Sequence, residues 1–360
     1  MSQNMKPEFR LLAKCCAIST SGKARGSFEA PSLDWDLALS LAGRHRVEGQ
    51  LAEALLRGGI AGIPELPQEV ERALRQARQT ITLRELRLLS GLQAIKERLD
   101  DAQIDFVLLK GLHTTSRAYG KLGIRTNHDI DLLVDEKDVQ EAAERLSQMG
   151  FRKLANGEDA TADFSDATKI KQKDLELYSA DLDITVDLHW RLFANPFLLP
   201  VDRIRKTKVE ALFGGCSVHV LRPEANIVYL AVHGAHHGWS RLKWLADFHA
   251  VVAAEAEAVA AAFALAEELD VAPALNQAMA LRQAVFGDSS QSAAPHGIRT
   301  RMLCRLALFS MTHFDEREIE SVWGATKPKN FSHYLLTSKP RYLAHEAAAD
   351  IRGRIAGLMS

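Results

Sequence analysis

The chain has 360 residues, 47% of them apolar and 25% charged, with a formal net charge of -1, a balance that excludes a disordered chain and a small metal-stapled scaffold. No apolar run reaches the length of a bilayer span, and the near-zero charge supplies no diffuse basic field for holding a phosphate backbone, so neither a membrane nor a nucleic acid is expected as a partner. The stretch containing Arg10, Lys14, Lys23 and Arg25 lacks the apolar core of a secretory leader, and Cys15, Cys16, Cys216 and Cys304 lack CxxC spacing, which argues against a disulfide framework or structural zinc and predicts a cytoplasmic setting.

Ser32 to Leu56 carries helical periodicity, with Ser32 as the expected N-cap, Leu33, Leu37 and Leu41 on the apolar face, and Gly58-Gly59 as the stop. A longer helix is predicted from Pro67, a good first-turn residue, to about Leu99. Together they make a helical N-terminal region assigned to residues 1–100. At Ile104 the pattern changes to a short continuous apolar run, Ile-Asp-Phe-Val-Leu-Leu, which reads as a buried strand ending at Lys110-Gly111. A short helix is expected next, up to Gly120 or Gly123.

His128 to Val134 reads as a strand whose alternation puts Asp129, Asp131 and Leu133 on one face and Ile130, Leu132 and Val134 on the other. Asp135 is placed to cap the following helix, which Gly150 closes. After a polar loop from about Asn156 to Ala167, two further strands are predicted, Ile170 to Tyr178 and Leu182 to Trp190. In the second, Asp183, Thr185, Asp187 and His189 share a face opposite Ile184, Val186, Leu188 and Trp190. Beyond Pro223 the pattern is helical to the end, with an alanine-rich section from Ala246 to Ala280. Residues 101–200 are thus assigned to an α/β core and residues 201–360 to a helical C-terminal domain.

Two carboxylates on one face of one strand raise each other's pKa when half buried, and a divalent cation removes the conflict. Oxygen ligands favour Mg²⁺ or Mn²⁺, and a third acid on a neighbouring strand would permit two ions. Asp187 and Asp183 both lie on the face that could supply it. An Asp-x-Asp strand also fits the exposed face of an ordinary antiparallel pair, and Lys110-Gly111 also fits an ordinary turn. The context favours phosphate chemistry, because a glycine lets backbone N–H groups approach phosphate and a lysine neutralises it.

Leu-Leu-Lys110-Gly111, Tyr119, Arg125, His128-Asp129-Ile-Asp131-Leu-Leu-Val and Val-Asp187-Leu-His189-Trp190, followed by His233-Gly-Ala-His236-His237 and Arg241-Leu-Lys-Trp244-Leu-Ala-Asp247, resemble the uncharacterised bacterial branch of the polymerase-beta-like nucleotidyltransferase superfamily. The resemblance covers roughly residues 104 to 250, with the motifs in order. It implies an α+β fold with a small mixed sheet, metal ligation by Asp129, Asp131 and Asp187, and catalysis by the same three. Lys110 departs from the small residue usual in better-known relatives. Lys110, Gly111, His113, Arg125 and His189 are the expected contacts to a nucleoside triphosphate, ATP above all, with a small molecule or peptide as acceptor.

His233 and His237 stand four residues apart on an expected helix and could ligate zinc with His249 or Asp247, yet the glutamate of a zincin is missing. The preferred reading is a helix face over the sheet, lining the acceptor side of the cleft. No Walker A segment, GxGxxG, kinase signature or GxSxG elbow occurs. Phosphoryl transfer by the same carboxylates, or a binding module with little turnover, are the alternatives to nucleotidyl transfer.

Overall fold

In a computed structural model, the structure describes residues 5–21, 26–28, 32–58, 60–63, 65–155, 158–160, 173–213, 215–287, 297–312 and 328–358. They divide into two compact units, one made of Met1–Arg78 with Pro223–Ser360 and the other of Gln79–Arg222. The fold is mixed, α+β, as the sequence predicts.

The first unit opens with α1 (Pro7–Ser21), followed by the two-residue strand β1 (Gly26–Ser27). The single helix expected from Ser32 to Leu56 is two helices, α2 (Trp35–His45) and α3 (Glu48–Leu56). Arg46 breaks it, in a left-handed conformation (φ 55°) from which its N–H closes onto the last turn of α2. The N-cap is Asp34, which accepts the Leu37 N–H at 2.9 Å, and not Ser32. The apolar pattern runs on through both helices, so periodicity alone did not mark the break. Gly59 lies outside the described residues; β2 (Ile60–Ala61) pairs in parallel with β1. The boundary between the units falls inside α4 (Gln68–Asp101), close to the helix expected from Pro67.

Among the described residues, the second unit is built on one eight-stranded mixed sheet. Its strands in chain order are β3 (Phe106–Leu108), β4 (Asp129–Val134), β5 (Arg152–Ala155), β6 (Glu158–Ala160), β7 (Asp174–Ser179), β8 (Ile184–His189), β9 (Lys208–Phe213) and β10 (Cys216–Leu221). Their spatial order is β6-β5-β7-β8-β4-β3-β10-β9. The β4–β8 and β3–β10 pairs are parallel and the rest antiparallel.

Between β3 and β4 the chain makes the short helix α5 (Leu112–Thr114) and a π-helical turn, Thr115–Tyr119, closed by Gly120 at φ 69°. Helix α6 (Val139–Gln148) follows β4, and α7 (Val201–Arg205) precedes the β9–β10 hairpin.

One face of the sheet holds the core. Leu88, Leu92, Ile95 and Leu99 of α4 and Val139, Ala142, Ala143 and Leu146 of α6 pack with Ile130, Leu132 and Val134 of β4 and Ile184, Val186 and Leu188 of β8. Each buried leucine, isoleucine or valine side chain among them contributes about 1.5–3 kcal/mol. Because strand side chains alternate, committing these six to the core sends Asp129, Asp131, Thr185, Asp187 and His189 to the opposite face.

Several expectations need correction. Asp135 does not cap: its carboxylate makes an ion pair with Arg205, and a 3₁₀ turn, Glu136–Asp138, intervenes before α6. Strand β8 begins at Ile184, because Asp183 adopts a left-handed turn (φ 52°). The loop expected from about Asn156 holds β6 at 158–160; Asn156 and residues 161–167 lie outside the described residues, as do 170–172 of the strand predicted to precede Tyr178. The sheet continues to Leu221, past the border drawn near residue 200, since β10 pairs with β3 through His219 and Val220.

The rest of the first unit is helical, as read beyond Pro223: α8 (Pro223–His236), α9 (Leu242–Ala254), α10 (Val259–Glu268), α11 (Ala272–Phe286) and α12 (Ile298–Thr312), then helices over Pro328–His333 and Pro340–Leu358. Among the described residues no single helix is long and apolar enough to cross a membrane.

Candidate active site

Sheet register assembles the site. Asp131 of β4 stands opposite Asp187 of β8, and on the far side of Asp187 stands Glu176 of β7. Three carboxylates therefore form one row across three strands on the face away from the core. In the next row His189 is flanked by Asp174 of β7, and one row the other way Asp129 pairs with Thr185.

Asp131 is buried. Its Oδ1 receives the Lys110 ammonium and lies 3.1 Å from His189 Nε2, while its Oδ2 is buried and, among the described residues, without a hydrogen-bond partner. Burial by itself would raise the Asp131 pKa, but the Lys110 charge and the His189 hydrogen bond outweigh it and hold the carboxyl far below its ordinary range. An ionised carboxylate only accepts, so in this bond the Nε2–H of His189 donates to Asp131. His189 Nδ1 then faces Asp174 Oδ2 at 3.6 Å. In this arrangement the imidazole orients Asp131.

Asp187 behaves oppositely. Burial, with the charges of Asp131 and Asp129 next to it, pushes its pKa up to about 8. At neutral pH one member of the registered pair is a carboxylate and the other a carboxylic acid. That is the conflict expected of clustered acids, and it fits a divalent cation: adding positive charge between them would let Asp187 ionise and would give Asp131 Oδ2 a partner. Among the described residues, Asp131, Asp187 and His189 are the group whose potential ligand atoms all lie within 4.8 Å of one another. Asp129 is outside that group, one register step along β4. The hard oxygen donors suit Mg²⁺ or Mn²⁺.

Lys110 is set by backbone geometry. The Leu109 N–H donates to the Asp131 carbonyl at 3.0 Å, which pins the end of β3 beside the acid. Gly111 follows at φ 78°, ψ -120°, a region closed to side-chain-bearing residues without strain. An added Cβ would meet Asn127 Oδ1 at 3.7 Å and the Asp129 carbonyl at 3.8 Å, ordinary contacts, so the requirement for glycine is one of backbone conformation.

The loop leading to Asp129 rests on a buried polar network that sequence reading did not find. Glu85 of α4 accepts from Thr115 Oγ1 (2.9 Å), the Gly123 N–H (2.7 Å) and Asn127 Nδ2 (2.7 Å). Burial raises the Glu85 pKa, while these bonds and Arg125 oppose the rise. Arg125 is itself buried and donates to Asn127 Oδ1. The structure thus places Arg125 in the support of the loop. His113 is buried with its ring 5.9 Å from Phe213.

Asp183 does not join the acids. It accepts from Arg87 at 2.6 Å and from the Tyr178 hydroxyl at 3.3 Å, on an exposed turn. Alternation in β7, Asp-Leu-Glu-Leu-Tyr-Ser, carried the signal for Asp174 and Glu176, which sequence reading passed over.

His233, His236 and His237 belong to the first unit. Within it, the His237 ring stacks on Trp244 (centroids 4.8 Å apart, 24° between planes) and His236 on His333 (4.4 Å, 7°). His249, the zinc partner considered from sequence, accepts from Arg282 at 3.0 Å, and its pKa is lowered to about 4 by burial and that guanidinium. These histidines form no metal group among the described residues.

A family model described as an uncharacterised nucleotidyltransferase matches residues 31–287. None of the curated proteins compared with the chain matches it.

Proposed function

The chain belongs to the uncharacterised nucleotidyltransferase family, and on that premise we propose that it moves a nucleoside monophosphate from a nucleoside triphosphate, ATP by preference, to a hydroxyl of a small molecule or peptide. The observation that carries this reading is the registered pair Asp131 and Asp187, whose potential ligand atoms cluster on one face of the sheet, with Oδ2 of Asp131 buried and, among the described residues, without a hydrogen-bond partner. Asp131, Asp187 and Asp129 would hold Mg²⁺ or Mn²⁺, which supplies charge neutralisation for the triphosphate and the departing diphosphate.

The chain's own residues do the rest. His189 keeps Asp131 aimed at the cluster. Asp187, ionised once positive charge is beside it, takes the proton of the acceptor hydroxyl. The acceptor oxygen forms a bond to the α-phosphorus as the bond to the bridging oxygen breaks, and diphosphate leaves with the electron pair. Gly111 leaves the backbone open to a phosphate, and the Glu85–Asn127–Arg125 network keeps that loop in place.

The test uses triphosphates labelled at the α- or the γ-phosphorus, with Mg²⁺ or Mn²⁺ and a small-molecule extract as acceptor source. Transfer of the α-label with release of diphosphate, lost in Asp129→Asn and Asp131→Asn, is the expected result. Transfer of the γ-label makes the protein a phosphoryl transferase, and equal background from all proteins removes the enzyme reading.

A further inference from the structure

We propose that Lys110 is a built-in counter-cation: it holds Asp131 Oδ1 until a divalent ion displaces it, and then turns to the phosphates of the nucleotide. This rests on the metal and nucleotide reading above and adds a coupling between the two ligands.

Three observations carry it. The Lys110 ammonium is ion-paired with the same carboxylate that forms the metal-ligand group with Asp187 and His189. The ammonium holds Oδ1, so a divalent cation taken up at Oδ2 of the same carboxylate would stand beside it, and repulsion between the two positive charges sets them in competition. The Asp131 side chain is 0% exposed while that of Lys110 is 17% exposed, so the acid is sealed in the sheet and the lysine is the partner that keeps some exposure to solvent. Finally, the Lys110 backbone is immobilised by the Leu109–Asp131 bond and by Gly111, whereas its four-carbon stem carries a compact, rotatable charge. The geometry provides a fixed backbone from which a long side chain can rotate.

The consequence is thermodynamic. Metal alone binds against the cost of displacing Lys110 from Asp131. With a triphosphate present, the displaced ammonium regains an anionic partner, so each ligand strengthens the other, reciprocally. Replacing Lys110 by an uncharged side chain should therefore strengthen metal binding in the absence of nucleotide and weaken the coupling between the ligands.

The experiment is Mn²⁺ binding to the full chain, followed by electron paramagnetic resonance. It is run with and without an ATP analogue whose α–β bridge resists cleavage, for wild type, Lys110→Met, Lys110→Arg and Asp131→Asn. Lys110→Met should bind Mn²⁺ alone on the order of tenfold more tightly than wild type, and the strengthening by the analogue should shrink by a similar factor. Lys110→Arg, whose guanidinium grips a carboxylate more firmly, should bind Mn²⁺ alone more weakly than wild type, and it carries the test if Lys110→Met does not fold.

Lys110→Met binding Mn²⁺ no more tightly than wild type, including no binding by either, overturns the proposal, as does Lys110→Arg binding at least as tightly as wild type. If Asp131→Asn alone abolishes Mn²⁺ binding in that case, the metal site stands and only the role of Lys110 falls. If Asp131→Asn binds Mn²⁺ like wild type, the metal reading itself fails.

Discussion

Asp187 faces Asp131 across the parallel β4–β8 ladder, and the two acids hold opposite protonation states at neutral pH. Lys110 and His189 settle the charge of Asp131, while at Asp187 burial and three negative neighbours, Asp131, Asp129 and Asp174, outweigh the opposing charge of Lys110.

A pH dependence of stability follows. The Asp187 pKa is about 8 in the folded metal-free protein against an ordinary value of 3.8, so between these values the folded state holds a proton that the unfolded chain has released. The stabilisation from that proton is fully present below about pH 4 and is lost as the pH rises through 8. It is on the order of a few kcal/mol. Urea unfolding of the chelator-treated protein should show stability falling from pH 5 to pH 8 more steeply in wild type than in Asp187→Asn, which has no proton to lose.

Asp183 and Asp187 should separate cleanly. Asp187→Asn removes the acid in the row and should lower transfer on the order of a hundredfold or more. Asp183→Asn disturbs an exposed ion pair with Arg87, worth about 0–1 kcal/mol, and should leave transfer and melting temperature close to wild type. Side-by-side rates for the two variants decide the assignment.

Glu85→Ala should destabilise the second unit without touching the acids. It strips the acceptor from Thr115, Gly123 and Asn127, and each buried donor left unsatisfied costs about 1–3 kcal/mol. The expected loss is about 3 kcal/mol or more in chemical denaturation, with Glu85→Gln milder because it keeps one acceptor oxygen.

Gly111→Ala puts a Cβ where space exists but backbone conformation objects. A cost of about 1–2 kcal/mol is expected, together with weaker nucleotide binding as the loop shifts. A melting curve and a nucleotide titration check both parts; an unchanged melting temperature would mean the loop can adopt another conformation.

The acids were legible in the sequence because strand alternation is a local rule: Ile130, Leu132 and Val134 had to face a core, so Asp129 and Asp131 had to face away from it. The same rule could not choose between Asp183 and Asp187, which share a parity. The choice came from the left-handed turn at Asp183 and its bond to Arg87, a residue 96 positions away. Asp135 reads as a helix cap for similar reasons, and only the chain's return at Arg205 claims its carboxylate.

The Glu85 network was invisible because its members, at 85, 115, 123 and 127, meet only in the folded unit. The β9–β10 hairpin was missed too: exposed Val209 and Leu212 on an edge strand blur the alternation that would mark it.

Whether Asp131 and Asp187 hold a metal-bound nucleotide is decided by calorimetric titration of the non-cleavable ATP analogue into wild type and into an Asp131→Asn, Asp187→Asn double variant, with Mg²⁺ and with chelator. Binding by wild type should need Mg²⁺ and be lost in the double variant. Equal binding by both proteins, or binding indifferent to Mg²⁺, would contradict that role for the two acids.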